Sequence, residues 1–205
     1  VPAKLDGNPK NWLLLRKRNG SAAPPARERP RYVPMLATLS EELPRGQDWL
    51  FEVKWDGYRA LCRLEEGEAT LWSRSRNDLS ARFAAIGRTV PRALRTPECV
   101  VDGEVCALDE NGRPSFAAMQ QGSGTLVYYL FDLLEVEGEA LLELALSERR
   151  GRLEGLLESS DGAVRLSEAF TDGQALMKAA KREGLEGVIA KRAESRYQPG
   201  KRTRD

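Results

Sequence analysis

Residues 126–134, Leu-Val-Tyr-Tyr-Leu-Phe-Asp-Leu-Leu, constrain the fold more than any other segment. The run is almost continuously apolar and rich in residues that favour strands, so it reads as a buried strand. Other strand-like segments surround it. Residues 49–54 form one, residues 58–64 and 68–73 make a hairpin across Glu66-Gly67, and residues 100–108 run to a turn at Asp109-Glu110-Asn111-Gly112. Residues 187–191 close the series. Helical spacing predicts a helix over residues 78–90, with Leu79, Phe83 and Ile86 on one face and Asp78 or Ser80 as cap. Residues 147–157 and 171–183 read as amphipathic helices. Strands outnumber helices and several join by tight turns, so the expected class is α+β with largely antiparallel sheets.

Composition fits one soluble globular domain, with 205 residues, 41% hydrophobic and 31% charged. No apolar run reaches membrane-spanning length, and no N-terminal stretch has the layout of a signal peptide. Cys62, Cys99 and Cys106 cannot all pair, which suggests buried free thiols in a reducing compartment. With no histidine in the chain, a histidine triad and a histidine-bound zinc are excluded. Net charge is +1 but unevenly spread: residues 1–34 hold eight Lys/Arg against two Asp/Glu, and residues 181–205 eight against four. Basic ends around an acidic middle suit a nucleic-acid track. Gly20, Ser21, Pro24, Pro25 and Pro30 mark residues 19–30 as a linker, with the catalytic region beginning near Arg31.

The motif Lys54-x-Asp56-Gly57-x-Arg59 follows the first strand of that region. It sets a lysine nucleophile beside a carboxylate, with a glycine that permits a sharp turn and an arginine able to hold phosphate. Those parts suit attack on a nucleotide α-phosphate and retention of the nucleotide on nitrogen. A lysine ordinarily titrates at roughly 10.4, so a nucleophilic one needs desolvation or cationic neighbours. Asp56 is placed to orient the amine or to assist a hydroxyl later. Glu52 shares a strand face with Lys54. A carboxylate only accepts hydrogen bonds, so Glu52 welcomes the adenine 6-amino group and repels the guanine 6-oxo group.

Further along, Asp102 and Glu104 fall on one strand face, and Glu104 suits ribose hydroxyls with a share in metal contact. Phe131 lies on the same side of its strand as Tyr129 and Leu133. Ile189 and Lys191 also share a side, offering an apolar floor and a phosphate-binding ammonium. Glu186, helped by Glu104, suits Mg2+ or Mn2+, since such ions take few carboxylates and complete their shell with phosphate and water. Arg59 and either Arg74 or Arg76 are the expected phosphate clamps, the Ser73-Arg74-Ser75-Arg76 repeat leaving the register open.

In order along the chain, Lys54-x-Asp56-Gly57, Ser73-Arg74, Asp102-Gly103-Glu104, Tyr129-Leu130-Phe131-Asp132 and Glu186-Gly187-Val188-Ile189-Ala190-Lys191 resemble the motifs of covalent nucleotidyltransferases. These are the ATP-dependent DNA ligases, RNA ligases and mRNA-capping guanylyltransferases. The run Arg196-Tyr197-Gln198-Pro199-Gly200-Lys201-Arg202 looks most like the bacterial end-joining DNA ligases of the ligase D type. There, a ligase module is joined to phosphoesterase and polymerase modules. The resemblance spans about residues 31–205 and implies two sheets flanking a nucleotide groove, an ATP-grasp-like adenylation fold.

It further implies ATP as cofactor and AMP carried on Lys54. Adenine then stacks on Phe131 with Ile189 opposite, Glu52 and Val53 lie against the nucleotide, and Arg196, Lys201 and Arg202 meet DNA. Related ligases have glycine where Arg76 stands. They also continue past the position of Asp205 with a Trp-x-Lys-x-Lys strand and an OB-fold domain. The expectation is therefore an adenylation domain at 31–205, truncated at its C-terminus, and at 1–18 the tail of a phosphoesterase domain. The expected partners are nicked or broken double-stranded DNA and either further repair domains or a DNA-end-binding protein. A monomer in the bacterial cytoplasm, at the nucleoid and away from membranes, completes the picture. RNA ligase, capping guanylyltransferase and catalytically weak DNA-binding scaffold are the rival readings.

Overall fold

In the computed structural model of this chain, residues 31–158 and 162–203 are described in full. Of residues 1–30, only the backbone of β1 (Ala3–Lys4) and β2 (Trp12–Leu13) is described, paired antiparallel with Lys4 opposite Trp12. The expected phosphoesterase tail and linker otherwise lie outside the described residues.

The strands form where the sequence alternates or runs apolar. β3 (Leu36–Ala37), β4 (Trp49–Val53), β5 (Tyr58–Glu65) and β6 (Glu68–Ser73) come first. The β5–β6 hairpin closes across Glu66 and Gly67, at φ 52° and 79°, the left-handed pair that a tight two-residue hairpin turn requires. There follow α1 (Ala84–Ala93), β7 (Cys99–Leu108), α2 (Phe116–Gln121), β8 (Thr125–Val136), β9 (Glu139–Ala140) and α3 (Leu146–Leu156). The chain continues with β10 (Val164–Leu166), β11 (Ala169–Phe170), α4 (Gly173–Glu183), β12 (Val188–Arg192) and β13 (Arg202–Thr203).

Two principal sheets result. The larger runs β10-β8-β7-β5-β6, with β9 on β8, and is antiparallel except between β10 and β8. The smaller, β11-β4-β12, is wholly antiparallel. β13 pairs parallel with β3 and ties the last described residues to the segment before β4. This is the α+β, mainly antiparallel arrangement expected from the sequence. On one face of the larger sheet, Cys62, Leu64, Leu71, Val101, Leu130 and Leu133 pack with Phe83, Ile86 and Val90 from the α1 region and Leu153 of α3. On the other, Leu61, Val100 and Leu134 meet Tyr32 and Tyr197. Burial on both faces accounts for the apolar run of β8; each large side chain so buried contributes about 1.5–3 kcal/mol. All three cysteines are buried and free, as expected.

Two helical features differ from expectation. Asp78 makes an isolated bridge to Trp72, residues 80–83 form a turn, and α1 starts only at Ala84 and runs through Pro91 to Ala93. Neither Asp78 nor Ser80 caps it. The Asp78 carboxylate accepts from the Ser80 amide within the segment itself, and the Ser80 hydroxyl accepts from the Leu71 amide and ties the turn to β6. The short α2 has no counterpart among the expected elements; Ser115 caps it by accepting from the Ala118 amide.

Candidate active site

A cleft of about 770 Å³ opens between the two sheets. Lys54 leaves the end of β4 at its mouth. The Lys54 amide donates to the Gly187 carbonyl at 2.9 Å, which extends the β4–β12 ladder and brings Glu186 beside it. The Lys54 ammonium and the Glu186 carboxylate form an ion pair, each side chain 43% exposed. Asp56 also lines the cleft. Gly57 is required for a reason other than a turn. Its φ is not positive, but a Cβ there would collide with the Val105 carbonyl of β7. The motif glycine lets the chain cross from one sheet to the other with the two backbones touching.

Glu52, Ile189 and Lys191 come together because β4 and β12 pair Glu52 with Ile189 and Leu50 with Lys191, setting all three on the cleft face. Glu52 is 2% exposed, and its carboxylate is heavily used. Oε1 accepts from Arg150 Nη1 at 2.9 Å and from Lys191 Nζ at 2.7 Å; Oε2 accepts from Ser167 Oγ at 3.0 Å. Arg150 also donates to the Ser167 carbonyl at 2.7 Å, so α3 braces the strand on which Glu52 sits. Lys191 therefore stands as a counter-ion to Glu52, a role the sequence did not suggest.

Arg59 is also more tied than expected. Nε and Nη2 each donate to the Asp102 carboxylate at 2.7 Å, and Nη2 also reaches the Met35 carbonyl at 3.3 Å. Tyr197 donates to the same carboxylate at 2.5 Å. Burial alone would lower the Arg59 pKa, but Asp102, with Tyr197 and Glu104 behind it, raises it. Asp102 is fully buried, whereas Glu104 faces the cleft. Burial, reinforced by Asp102 and Asp56, pushes Glu104 up to about 7 against the pull of Arg59 and Lys54.

Phe131 lines the cleft and is 9% exposed. The Arg59 guanidinium and the Lys191 ammonium each lie 4.5 Å from its ring centre. Its expected kinship with Leu133 fails, because β8 carries two irregularities against β7. Gly103 pairs with Leu130 and Asp102 with Asp132, leaving Phe131 as an extra residue; Leu134 is skipped likewise. Leu133 thus joins Leu130 in the main core while Phe131 swings into the cleft.

Arg74 lines the cleft and Arg76 does not. Arg76 has φ 62°, a left-handed conformation that glycine adopts most cheaply. Among the residues expected at DNA, Arg196 pairs with Glu143 at 2.9 Å, Arg202 donates to the Ala37 carbonyl, and Lys201 is exposed. Val53 lines the cleft beside Glu52.

A profile of the ATP-dependent DNA ligase domain matches residues 34–205. The chain belongs to that family. It is 40% identical to the multifunctional non-homologous end joining protein LigD of Pseudomonas aeruginosa, over 89% of this chain and 24% of that protein. It is 38% identical to the multifunctional non-homologous end joining DNA repair protein LigD of Mycobacterium tuberculosis, over 98% of this chain and 26% of that protein. The chain thus spans about a quarter of the length of these relatives. A solved structure of mycobacterial DNA ligase D complexed with ATP and MES superposes with a TM-score of 0.69 at 34% identity, covering 84% of this chain and 58% of that one.

In this ligase domain, several side chains around the cleft carry roles that the sequence did not announce. Arg150 and Ser167 brace Glu52. Arg149 forks onto the buried Asp132 at 2.7 and 2.9 Å. Trp55 stacks on Tyr129 with ring centres 3.6 Å apart and planes 4° from parallel, and its indole N–H donates to Ser167 at 3.0 Å. A signal for the arginines was present. Leu146, Arg149, Arg150 and Leu153 share helical spacing, so two arginines occupy the face that α3 buries. Buried arginines demand buried carboxylates.

Proposed function

We propose that this domain is the adenylation core of an ATP-dependent DNA ligase that works in bacterial end joining. The observation that carries the reading is Lys54 at the mouth of an inter-sheet cleft, two residues from a buried, acceptor-only Glu52. The LigD relatives are named for end joining, and the mycobacterial homologue was solved with ATP, which supports the substrate assignment.

In the first step, the Lys54 nitrogen attacks the α-phosphorus of ATP. Before attack, the Lys54 ammonium passes one proton to Glu186, its ion-pair partner, which frees the nitrogen lone pair. The P–N bond then forms as the bond to pyrophosphate breaks, and the second proton of the nitrogen leaves with the departing pyrophosphate. AMP then passes to a DNA 5′-phosphate, and a 3′-hydroxyl, assisted by Asp56, displaces AMP to seal the strand.

Glu52 has spent three acceptor directions on Arg150, Lys191 and Ser167; a carboxylate offers about four, so one on Oε2 remains for the adenine amino group. The base stacks on Phe131 with Ile189 and Val53 about it, and Glu104 meets the ribose. Lys191 spends one N–H on Glu52 and keeps two for phosphate. Arg59 has only Nη1 left to give, so Arg74 is the freer clamp. Arg196, Lys201 and Arg202 contact DNA.

Among the described residues no three carboxylates make a self-contained metal site. Glu186 and Glu104 fit Mg2+ or Mn2+ as a partial shell completed by phosphate and water, and the burial and the neighbouring Asp102 and Asp56 carboxylates that raise Glu104 favour a cation there. When bound, the ion neutralises charge on the α-phosphate and the departing pyrophosphate. No helix among the described residues is long and apolar enough to cross a membrane. We place the protein in the bacterial cytoplasm, with repair domains or an end-binding protein as partners. Intact mass spectrometry after incubation with ATP and magnesium tests the reading. An AMP adduct from ATP and none from GTP is expected. A GMP adduct would point to a capping-type enzyme, and no adduct to a scaffold.

A further inference from the structure

The span from Arg74 to Arg95 stands apart from the acidic middle of the chain. It holds Arg74, Arg76, Arg82, Arg88, Arg92 and Arg95 against one acid, Asp78, and all six arginines are exposed. Two of them, Arg74 and Arg82, line the cleft that holds Lys54. Arg82 sits over the Tyr58 ring, its guanidinium carbon 4.1 Å from the ring centre, and Tyr58 is backed in turn by Phe116 at 5.9 Å. Ile86 and Val90 turn the inner face of α1 to the core, which leaves Arg88 and Arg92, one turn apart, on its outer face. Arg95 is committed elsewhere, to Glu158 at 3.7 Å and to the Gly155 and Leu157 carbonyls. Arg74, Arg88 and Arg92 enter no ion pair among the described residues.

We infer that Arg82, Arg88 and Arg92 form a track for the phosphate backbone of duplex DNA, leading away from the cleft along α1. The inference rests on the ligase reading and adds a surface to it. Charge complementarity selects the occupant. A row of unneutralised arginines continuous with a nucleotidyl-transfer cleft suits a polyanion whose reacting end lies in that cleft. Spacing agrees, since four residues of helix rise about 6 Å and two nucleotides of one B-form strand rise about 7 Å. Exposed arginines at this spacing take the place of condensed counterions on the phosphates. Removing one such arginine therefore lowers the salt slope of binding by about 0.9.

The test is fluorescence anisotropy of a nicked duplex with the 205-residue chain across a salt series, with AMP loading of Lys54 followed in parallel. The double variant Arg88→Gln/Arg92→Gln should flatten the slope of log K against log salt by about 2 and weaken binding on the order of 10-fold at about 0.1 M salt. Its AMP loading and melting temperature should stay at parental values. Arg95→Gln, a neighbour already paired, should leave the slope unchanged. An unchanged slope in the double variant, with AMP loading intact, would give this face to an acidic protein partner or to solvent and overturn the track alone. A parent chain that loads AMP but shows no salt-dependent affinity for duplex DNA would overturn it too. Failure of the parent to load AMP would instead sink the underlying ligase reading.

Discussion

Glu52 carries three donors in a site with almost no solvent, so its partners determine whether it can read a base. Glu52→Gln keeps the shape but can also donate to a guanine oxygen. ATP-over-GTP preference in AMP loading should therefore fall by about 1–3 kcal/mol, the cost of an unpaired buried polar group; unchanged preference would place base recognition elsewhere. Glu104 shows its role through pH. Burial first, then Asp102 and Asp56, hold its pKa at about 7 against an ordinary 4.5. Between those values the folded chain binds more protons than the unfolded chain, so this group's contribution to stability falls as pH rises from 4.5 through 7. Glu104→Gln cannot ionise. At about pH 8 it should be more stable than the parent by about 1–3 kcal/mol, shrinking below about 1 kcal/mol near pH 5. Urea unfolding at both pH values checks this, and an equal difference at the two would contradict it.

At the level of elements, α3 docks on β8 through a buried fork, Arg149 on Asp132, with Arg149 also donating to the Leu144 and Ser195 carbonyls. Arg149→Met or Asp132→Asn should each cost about 3–5 kcal/mol by leaving one partner unpaired, whereas the double variant should recover part of that loss. Additive losses in urea unfolding would show that the pair does not act as a unit. The same region marks what the sequence could and could not reveal. The strands were legible because alternation and apolar runs are local, and β4, β5, β6 and β7 lie within a residue or so of where the pattern put them. The side on which Phe131 emerges was not, because it depends on an extra residue in the register of β8 against β7. α1 begins late because Asp78 and Ser80 find partners in their own turn and in β6. The motif residues were legible as a set. That Lys191 and Arg59 spend donors on Glu52 and Asp102 was not, since each bond joins positions far apart in the chain.

Across the whole molecule, the two sheets work as the walls of one cleft, and the residues of the larger sheet's core keep those walls fixed. Cys62 and Cys99 lie in that packing, and Cys106 in a separate buried cluster with Val127 and Tyr129; burial raises each, with Cys99 pushed up to about 12. A folded sample should therefore leave Cys62, Cys99 and Cys106 unmodified by a thiol reagent at neutral pH, and all three should react together on unfolding. Rapid labelling of any one in the native protein would show a breach in the core. The cleft itself stands or falls on its nucleophile. Peptide mapping of the chain after incubation with ATP and magnesium tests this most directly. AMP should be found on Lys54 alone, in a bond cleaved by acid and stable to alkali, and Lys54→Ala should carry none. AMP on Lys191, or an undiminished adduct in Lys54→Ala, would contradict the account.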